Sequence, residues 1–293
     1  MTARPNETAR RRGAARLLRA TAVLTTLPLV LCSGCLTLPH PNPAFPATPE
    51  RLRAERQRMR ANPAPLERPV VVLGGYRATP QMAQDLAHEL RLLTSRNPDD
   101  FLPISYTFAA DIDEIAAEVI RRVEERFPSE DPARTVEVDV VGISMGGLVG
   151  RVAAMAPEER PGVLPGMEAN PGKRLSVRRM FTLASPHRGA GLARHLAPDL
   201  AARSMRPGSG YLDRLNEALA RAEYEIVPYA VLRDTWVGAT RAAPPGADPI
   251  WTAGTLLFSH FTVSQNRAIV TDVALRLRGE DPISLGGTPP PRD

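Results

Sequence analysis

The stretch that most constrains this chain is TVEVDVVGISMGGLVG, residues 135–150. Residues 135–141 form a β-branched run with partial alternation, long enough for one buried strand. The run passes directly into Gly142-Ile143-Ser144-Met145-Gly146, a G-x-S-x-G sequence. Gly147 and the LVGRVAAM after it are suited to opening a helix. A Ser set between strand and helix, with Gly on both sides, predicts a sharp turn that lifts its hydroxyl clear of the sheet. The glycines are needed because side chains there would collide with the turn's neighbours. The competing reading is a Gly-rich connection with an idle Ser, and the strand before and helix after weigh against it.

Other segments extend the same alternation. Residues 69–73 (PVVVL) predict a first strand, followed by Gly74-Gly75-Tyr76 and a helix over 79–93. Residues 101–108 predict a second strand. Ile112, Ile115, Ala116, Val119, Ile120 and Val123 then mark one apolar helix face. Residues 157–173 read as a Pro- and Gly-rich loop, and 179–184 as a strand ending in Ser185-Pro186-His187-Arg188-Gly189. Helical stretches are expected over 191–204 and 212–223, and a strand over 225–232 that Pro228 weakens. A polar loop leads to the strand-like segment 255–263, which contains His260, and residues 266–278 read as the last helix. Strands alternating with helices predict an α/β fold with a mostly parallel sheet covered on both faces.

The chain of 293 residues carries a net charge of +5. All of that excess lies before residue 20, in Arg4, Arg10, Arg11, Arg12, Arg16 and Arg19 against Glu7. The remainder is formally neutral with no sustained basic stripe, which excludes nucleic-acid binding as the leading reading. The Arg-rich start precedes about 12 apolar or small residues, 20–31, and then Cys32-Ser33-Gly34-Cys35. Residues 1–34 therefore read as an export signal too short to span a bilayer comfortably. Ser-Gly-Cys resembles the end of a bacterial lipobox, which implies a lipidated Cys35 and a membrane-anchored, exported protein. Cys32 departs from that pattern, since Leu is usual there. Residues 35–67 hold many prolines and read as a tether, with a short charged helix in ERLRAERQRMR. The tail 280–293 is expected to be disordered.

A Ser hydroxyl is a poor nucleophile until a base takes its proton, and a carboxylate is needed to orient that base. Of five His, His40 lies in the tether, His88 inside an early helix and His195 in the helical stretch after Gly189. His187 and His260 remain, and His260 is the candidate base because it precedes the final helix on a connection at the sheet's edge. Asp234 is the candidate acid, directly after an apolar strand, with Asp248 its rival. The tetrahedral intermediate needs backbone donors. The N–H groups of Met145 and, after the Gly pair, Tyr76 are the candidates.

These segments resemble a bacterial lipase or esterase of the α/β-hydrolase superfamily, near the triacylglycerol-lipase and inositol-deacylase-like branch. VVVLGGY, VDVVGISMGGLVGR, FTLASPHRG and the FSHFTV–helix ending carry the likeness, and RPGSGYLDRLN resembles a lid segment. The likeness covers residues 68–278. It implies a catalytic domain over 68–279 with a cap over 189–223, and Ser144, Asp234 and His260 as nucleophile, acid and base. It also implies Tyr76 and Met145 as the oxyanion hole and His187 as structural. The implied activity is hydrolysis of an acyl ester, a lipid among the candidates, without metal or organic cofactor. Amidase, thioesterase or acyltransferase chemistry on the same triad, or a non-catalytic envelope-binding module, are the alternatives. Gly74-Gly75 stands where the family usually has His-Gly, and the segment after Asp234 is longer and richer in Pro than usual.

Overall fold

The computed structural model describes residues 41–107, 111–161, 172–255 and 258–291. Among them six strands form one parallel sheet: β1 (Val70–Leu73), β2 (Phe101–Ile104), β3 (Arg134–Ile143), β4 (Arg174–Leu183), β5 (Glu225–Val231) and β6 (Ile250–Thr252). Their order is β2-β1-β3-β4-β5-β6. The chain steps to one side of β1 to make β2, then returns to the other side for β3. The connections leaving β1 and β3 therefore diverge, and a crevice opens at the C-terminal ends of these two strands, where ligands bind in open α/β sheets.

Both faces of the sheet are covered, so its strands read as apolar runs rather than alternating ones. Helices α1 (Pro49–Ala61), α2 (Pro80–Leu93) and α8 (Arg267–Leu277) pack on the face that carries Val70, Val72, Ile143 and Tyr229. Helices α3 (Ile112–Arg126) and α4 (Met145–Ala154) pack on the face of Val71, Leu73, Val140 and Met180. The short helices α5 (Leu200–Ser204) and α6 (Gly210–Ala218) join that second layer, and α7 (Ser259–Thr262) lies beside the C-terminal ends of the strands. Helix α3 shows why the pattern works. Its six predicted apolar residues are all buried, the Ile and Val side chains each contributing about 1.5–3 kcal/mol of transfer free energy. Asp111 caps its first turn through the Asp113 N–H at 3.0 Å.

The expected elements form with shifted ends. β3 and β4 are longer than read, at 10 residues each, because charged residues such as Arg134 and Arg174 continue the ladder outside the apolar run. Pro228 is accommodated within β5. Tyr229 O accepts from Ala184 N toward β4, so the backbone at Pro228 turns to the other side, where the β6 pairing begins only at Tyr229. The helix expected over 191–204 is a 3-10 turn, Leu192–Arg194, and α5, separated by Pro198 and its capping neighbour Asp199. The last strand is Ile250–Thr252 rather than 255–263, and His260 stands on α7.

Residues expected to be a tether pack on the domain from Pro41 onward. Phe45, Leu52 and Met59 are buried with α2 and α8, and Arg56 and Arg60 bind Glu89 of α2. The tail is ordered by the same face: Ile283 and Ser284 are buried. Ser284 donates from N and Oγ to Asp272 at 2.8 Å in both cases. The two ends meet along β6. Asn42 Nδ2 donates to Trp251 O at 2.8 Å, Thr288 N to Pro249 O at 3.3 Å, and Leu285 N to Ala44 O at 2.7 Å. The export signal and Cys35 lie outside the described residues. No described helix is long and apolar enough to cross a membrane.

Candidate active site

Ser144 occupies the turn between β3 and α4 with φ +52° and ψ −122°, a conformation that costs a non-Gly residue about 1–3 kcal/mol. The neighbours over-determine it. Ser144 N donates to Leu183 O at 2.8 Å, fixing the turn to β4. A Cβ on Gly146 would stand 2.6 Å from Leu73 O, and one on Gly142 2.5 Å from Gly147 N. Those contacts are with backbone, which cannot step aside, so both glycines are required. The Ser hydroxyl is thereby presented above the ends of β1 and β3.

His260 and Asp234 come to the same point from β5 and β6. Asp234 follows β5, and Trp236 N and Val237 N donate to its Oδ1 at 2.9 and 3.0 Å. Its Oδ2 accepts from His260 Nδ1–H at 2.8 Å. With Nδ1 the donor, Nε2 accepts from Ser144 Oγ–H at 2.9 Å. Both side chains are largely withdrawn from water. The segment leading to His260 sits hard against the residue that follows β5: a Cβ on Gly254 would lie 1.7 Å from Leu232 O. The indole of Trp236 stacks on the His260 ring, 5.6 Å between centroids and 6° between planes. The structure joins Ser144, Asp234 and His260, and the carboxylate that accepts from His260 is Asp234 rather than Asp248.

The two expected oxyanion donors belong to segments that adjoin Ser144. Met145 is the first residue of α4, so its N–H is one of the helix's unpaired donors. Gly75 runs so close that a Cβ there would lie 3.3 Å from Ser144 Cβ, and Tyr76 follows it along the same cavity wall. Neither amide donates to a described backbone carbonyl. Tyr106 Oη donates to Gly74 O and holds this loop from behind.

Above Ser144 lies a cavity of about 430 Å³, walled mainly by apolar side chains including Met82, Leu192, Met205, Trp236 and Phe261. Leu192 and Leu196 of the expected cap line it, whereas Leu212 and Leu215 pack in the core. The cap is tied to the Gly75–Tyr76 loop. Tyr76 Oη and Arg77 Nη2 donate to Asp199 Oδ2 at 2.6 and 2.9 Å, and Asp199 Oδ1 accepts from Ala202 N at 2.9 Å. Burial first, then the bond to Asp199, pushes the Tyr76 hydroxyl up to about 12. Burial opposes ionisation of Asp199, yet the hydrogen bonds from Tyr76, Ala202 and Arg77 hold its carboxyl below the usual range.

His187 is fully buried and stands apart from the triad. Arg151 Nη1 donates to its Nδ1 at 3.0 Å, and its Nε2–H donates to Thr182 Oγ1 at 2.9 Å. Burial, then the charges of Arg151 and Arg188, hold its pKa well below the ordinary value, so it is neutral. Arg151, on α4, also donates to Leu215 O at 2.7 Å and Asn216 Oδ1 at 3.0 Å. It ties the helix of the Ser turn to α6. Sequence reasoning missed Trp236 and Asp199. Asp199 after Pro198 is a helix-start signal that was there to be read, while nothing local marks the stacking of Trp236.

No family model and no curated protein matches the chain. Solved structures do. The lipase BlEst2 of Bacillus licheniformis in its propeptide form aligns with a TM-score of 0.50 at 14% identity, over 78% of this chain and 54% of that one. The mature form of BlEst2 gives 0.46 at 15%, over 73% and 93%. Lipase B of Aspergillus fumigatus gives 0.48 at 12%, over 89% and 68%. At such identities the likeness is one of fold. The parallel sheet with its strand order, the Ser turn after β3 and the alignment with BlEst2 together identify the chain as having the α/β-hydrolase fold.

Proposed function

We propose that the chain is a serine hydrolase of carboxylic esters, with Ser144 as nucleophile, His260 as base and Asp234 as the acid that orients it. The observation that carries this reading is the continuous pair of hydrogen bonds, Ser144 to His260 at 2.9 Å and His260 to Asp234 at 2.8 Å, at the floor of an apolar cavity. His260 Nε2 takes the Ser144 proton as Oγ attacks the ester carbonyl. Asp234 holds the Nδ1–H tautomer and stabilises the imidazolium that forms. The Met145 and Tyr76 amides receive the developing oxyanion. His260 passes its proton to the leaving alcohol, and a water activated by the same nitrogen releases the acid from the acyl-enzyme. The cavity suits an apolar acyl chain, and lipases among the neighbours in fold support an ester or lipid substrate.

The test is hydrolysis of p-nitrophenyl esters across acyl lengths by the full chain and its Ser144→Ala variant. Activity lost in the variant supports the reading. Matched amide and thioester substrates separate the other acyl-transfer chemistries that this triad could run. A folded protein that hydrolyses none of these and does not react with a fluorophosphonate would be a binding module instead. Export and acylation at Cys35 form part of the proposal, and the mass of the mature N-terminal peptide tests them.

A further inference from the structure

Among the described residues six large hydrophobic side chains are exposed; three of them line one opening, and two more stand on the segments that bound it. Leu196, Trp236 and Phe261 line the Ser144 cavity and are 66%, 37% and 43% exposed. Leu200 (54%) opens α5 beside Asp199, and Phe258 (69%) precedes His260 by two residues. Scattered singly, such residues would need no explanation; gathered around one mouth they mark an interaction surface.

Charge follows the same boundary. The four segments that bound the opening are 75–81, 189–206, 233–241 and 258–267. Arg267 lines the neighbouring groove with Asp85 and Glu89; the segments otherwise carry Arg77, Arg194, Arg203, Arg206, Arg233 and Arg241 against two carboxylates. One of these, Asp234, is buried under His260, and the other, Asp199, is held by Tyr76 and Arg77. Residues 20–293 contain as many cationic as anionic side chains, so the excess at the opening is local rather than a property of the whole domain. Arg203 lies three residues after Leu200, on the same side of α5. Arg194 lies two residues before Leu196. Leu200 and Leu196 thus each have a guanidinium close along the chain that can stay in the polar layer while the apolar side chain enters.

We propose that this face seats the mouth of the Ser144 cavity on a lipid bilayer bearing anionic headgroups. The apolar collar supplies insertion, and the arginine excess selects a negative surface over a neutral one. The surface does not depend on turnover at Ser144, so it goes beyond the reaction proposed above.

Fluorescence provides the test, because the chain's two tryptophans differ in place: Trp236 stands on the collar and Trp251 is buried. The full chain is mixed with vesicles of brominated phosphatidylcholine, alone or with roughly a third phosphatidylglycerol. Brominated acyl chains quench Trp236 when the collar enters the bilayer, whereas attachment through residues 1–35 alone leaves it bright. Quenching is expected with the anionic vesicles, much less with neutral ones, and loss at about 0.5 M salt. Arg194→Gln with Arg203→Gln is expected to weaken partitioning roughly 25-fold, from about fivefold per arginine. Arg121→Gln with Arg122→Gln on α3 removes the same charge elsewhere and should change it little. Near-UV circular dichroism establishes that each variant is folded. Bound protein with unquenched emission, equal quenching on neutral vesicles, equal loss from the α3 pair, or no binding at all would overturn the proposal.

Discussion

Tyr76 donates through its hydroxyl to Asp199 Oδ2 at 2.6 Å, while its backbone follows Gly75 past Ser144. One residue therefore belongs both to the proposed oxyanion site and to the fastening of the cap. Tyr76→Phe keeps the amide and removes one of the two bonds that fasten Asp199, leaving that of Arg77, and Asp199→Ala removes both together with the cap of α5. The second change is expected to cost about 1–2 kcal/mol in urea denaturation. Both variants should be cut faster than the parent by protease within 189–206. Cleavage at the parental rate would show that the bond does not hold the cap.

The triad makes a graded prediction. Ser144→Ala is expected to abolish ester hydrolysis. Asp234→Asn leaves a side chain of the same size but loses control of the His260 tautomer, and kcat should fall by about 10⁴. Asp248→Asn should stay within about twofold of the parent, an ordinary surface effect. Steady-state kinetics on a soluble ester decides between them, and a larger loss from Asp248→Asn would reassign the acid.

Gly254 tests how tightly the His260 segment is seated. A Cβ there meets Leu232 O at 1.7 Å, so Gly254→Ala must displace backbone. A destabilisation of about 1–3 kcal/mol is expected, with a roughly 100-fold loss of kcat from misplacement of His260. Gly210→Ala has no atom within 4 Å of its new Cβ and should leave both unchanged. Thermal denaturation and kinetics on the two variants provide the comparison.

His187 predicts a pH dependence of stability. Its folded-state pKa lies well below the ordinary value because burial disfavours the charged form. In the unfolded chain it titrates near the ordinary value of about 6.5. Below that pH the unfolded chain binds a proton that the folded one does not. The contribution is thus intact above about pH 6.5 and is lost as pH falls, by about 1.4 kcal/mol per unit. Urea midpoints measured between about pH 7.5 and 5 should drop accordingly, and His187→Gln, which cannot titrate, should flatten the curve. An equal slope in both proteins would assign the effect to other groups.

The legible parts of this fold share a physical cause. Ser144 and Asp234 each end an apolar strand, and a buried parallel strand announces itself as a short apolar run. α3 was legible because six apolar residues recur on one face. β6 was not, since three residues inside a Pro- and Gly-rich stretch carry no period and pair only because β5 is there to receive them. The N-terminal helix read as part of a tether because Leu52 and Met59 are few among many arginines. Their burial depends on α2 and α8, which are distant in sequence. The fastening of Tyr76 to Asp199, separated by 123 residues, has no local signal at all.

The meeting of residues 42–44 and 285–288 beside β6 has a consequence for the molecule in crowded solution. A parallel sheet ends in a row of unpaired amide and carbonyl groups, and such a row can recruit a strand from another molecule. Here Asn42 and Thr288 take the carbonyls of Trp251 and Pro249. The segments that fasten the two ends of the domain thus also occupy the place where a second copy would begin to stack, and self-association along this edge is blocked by the protein's own chain.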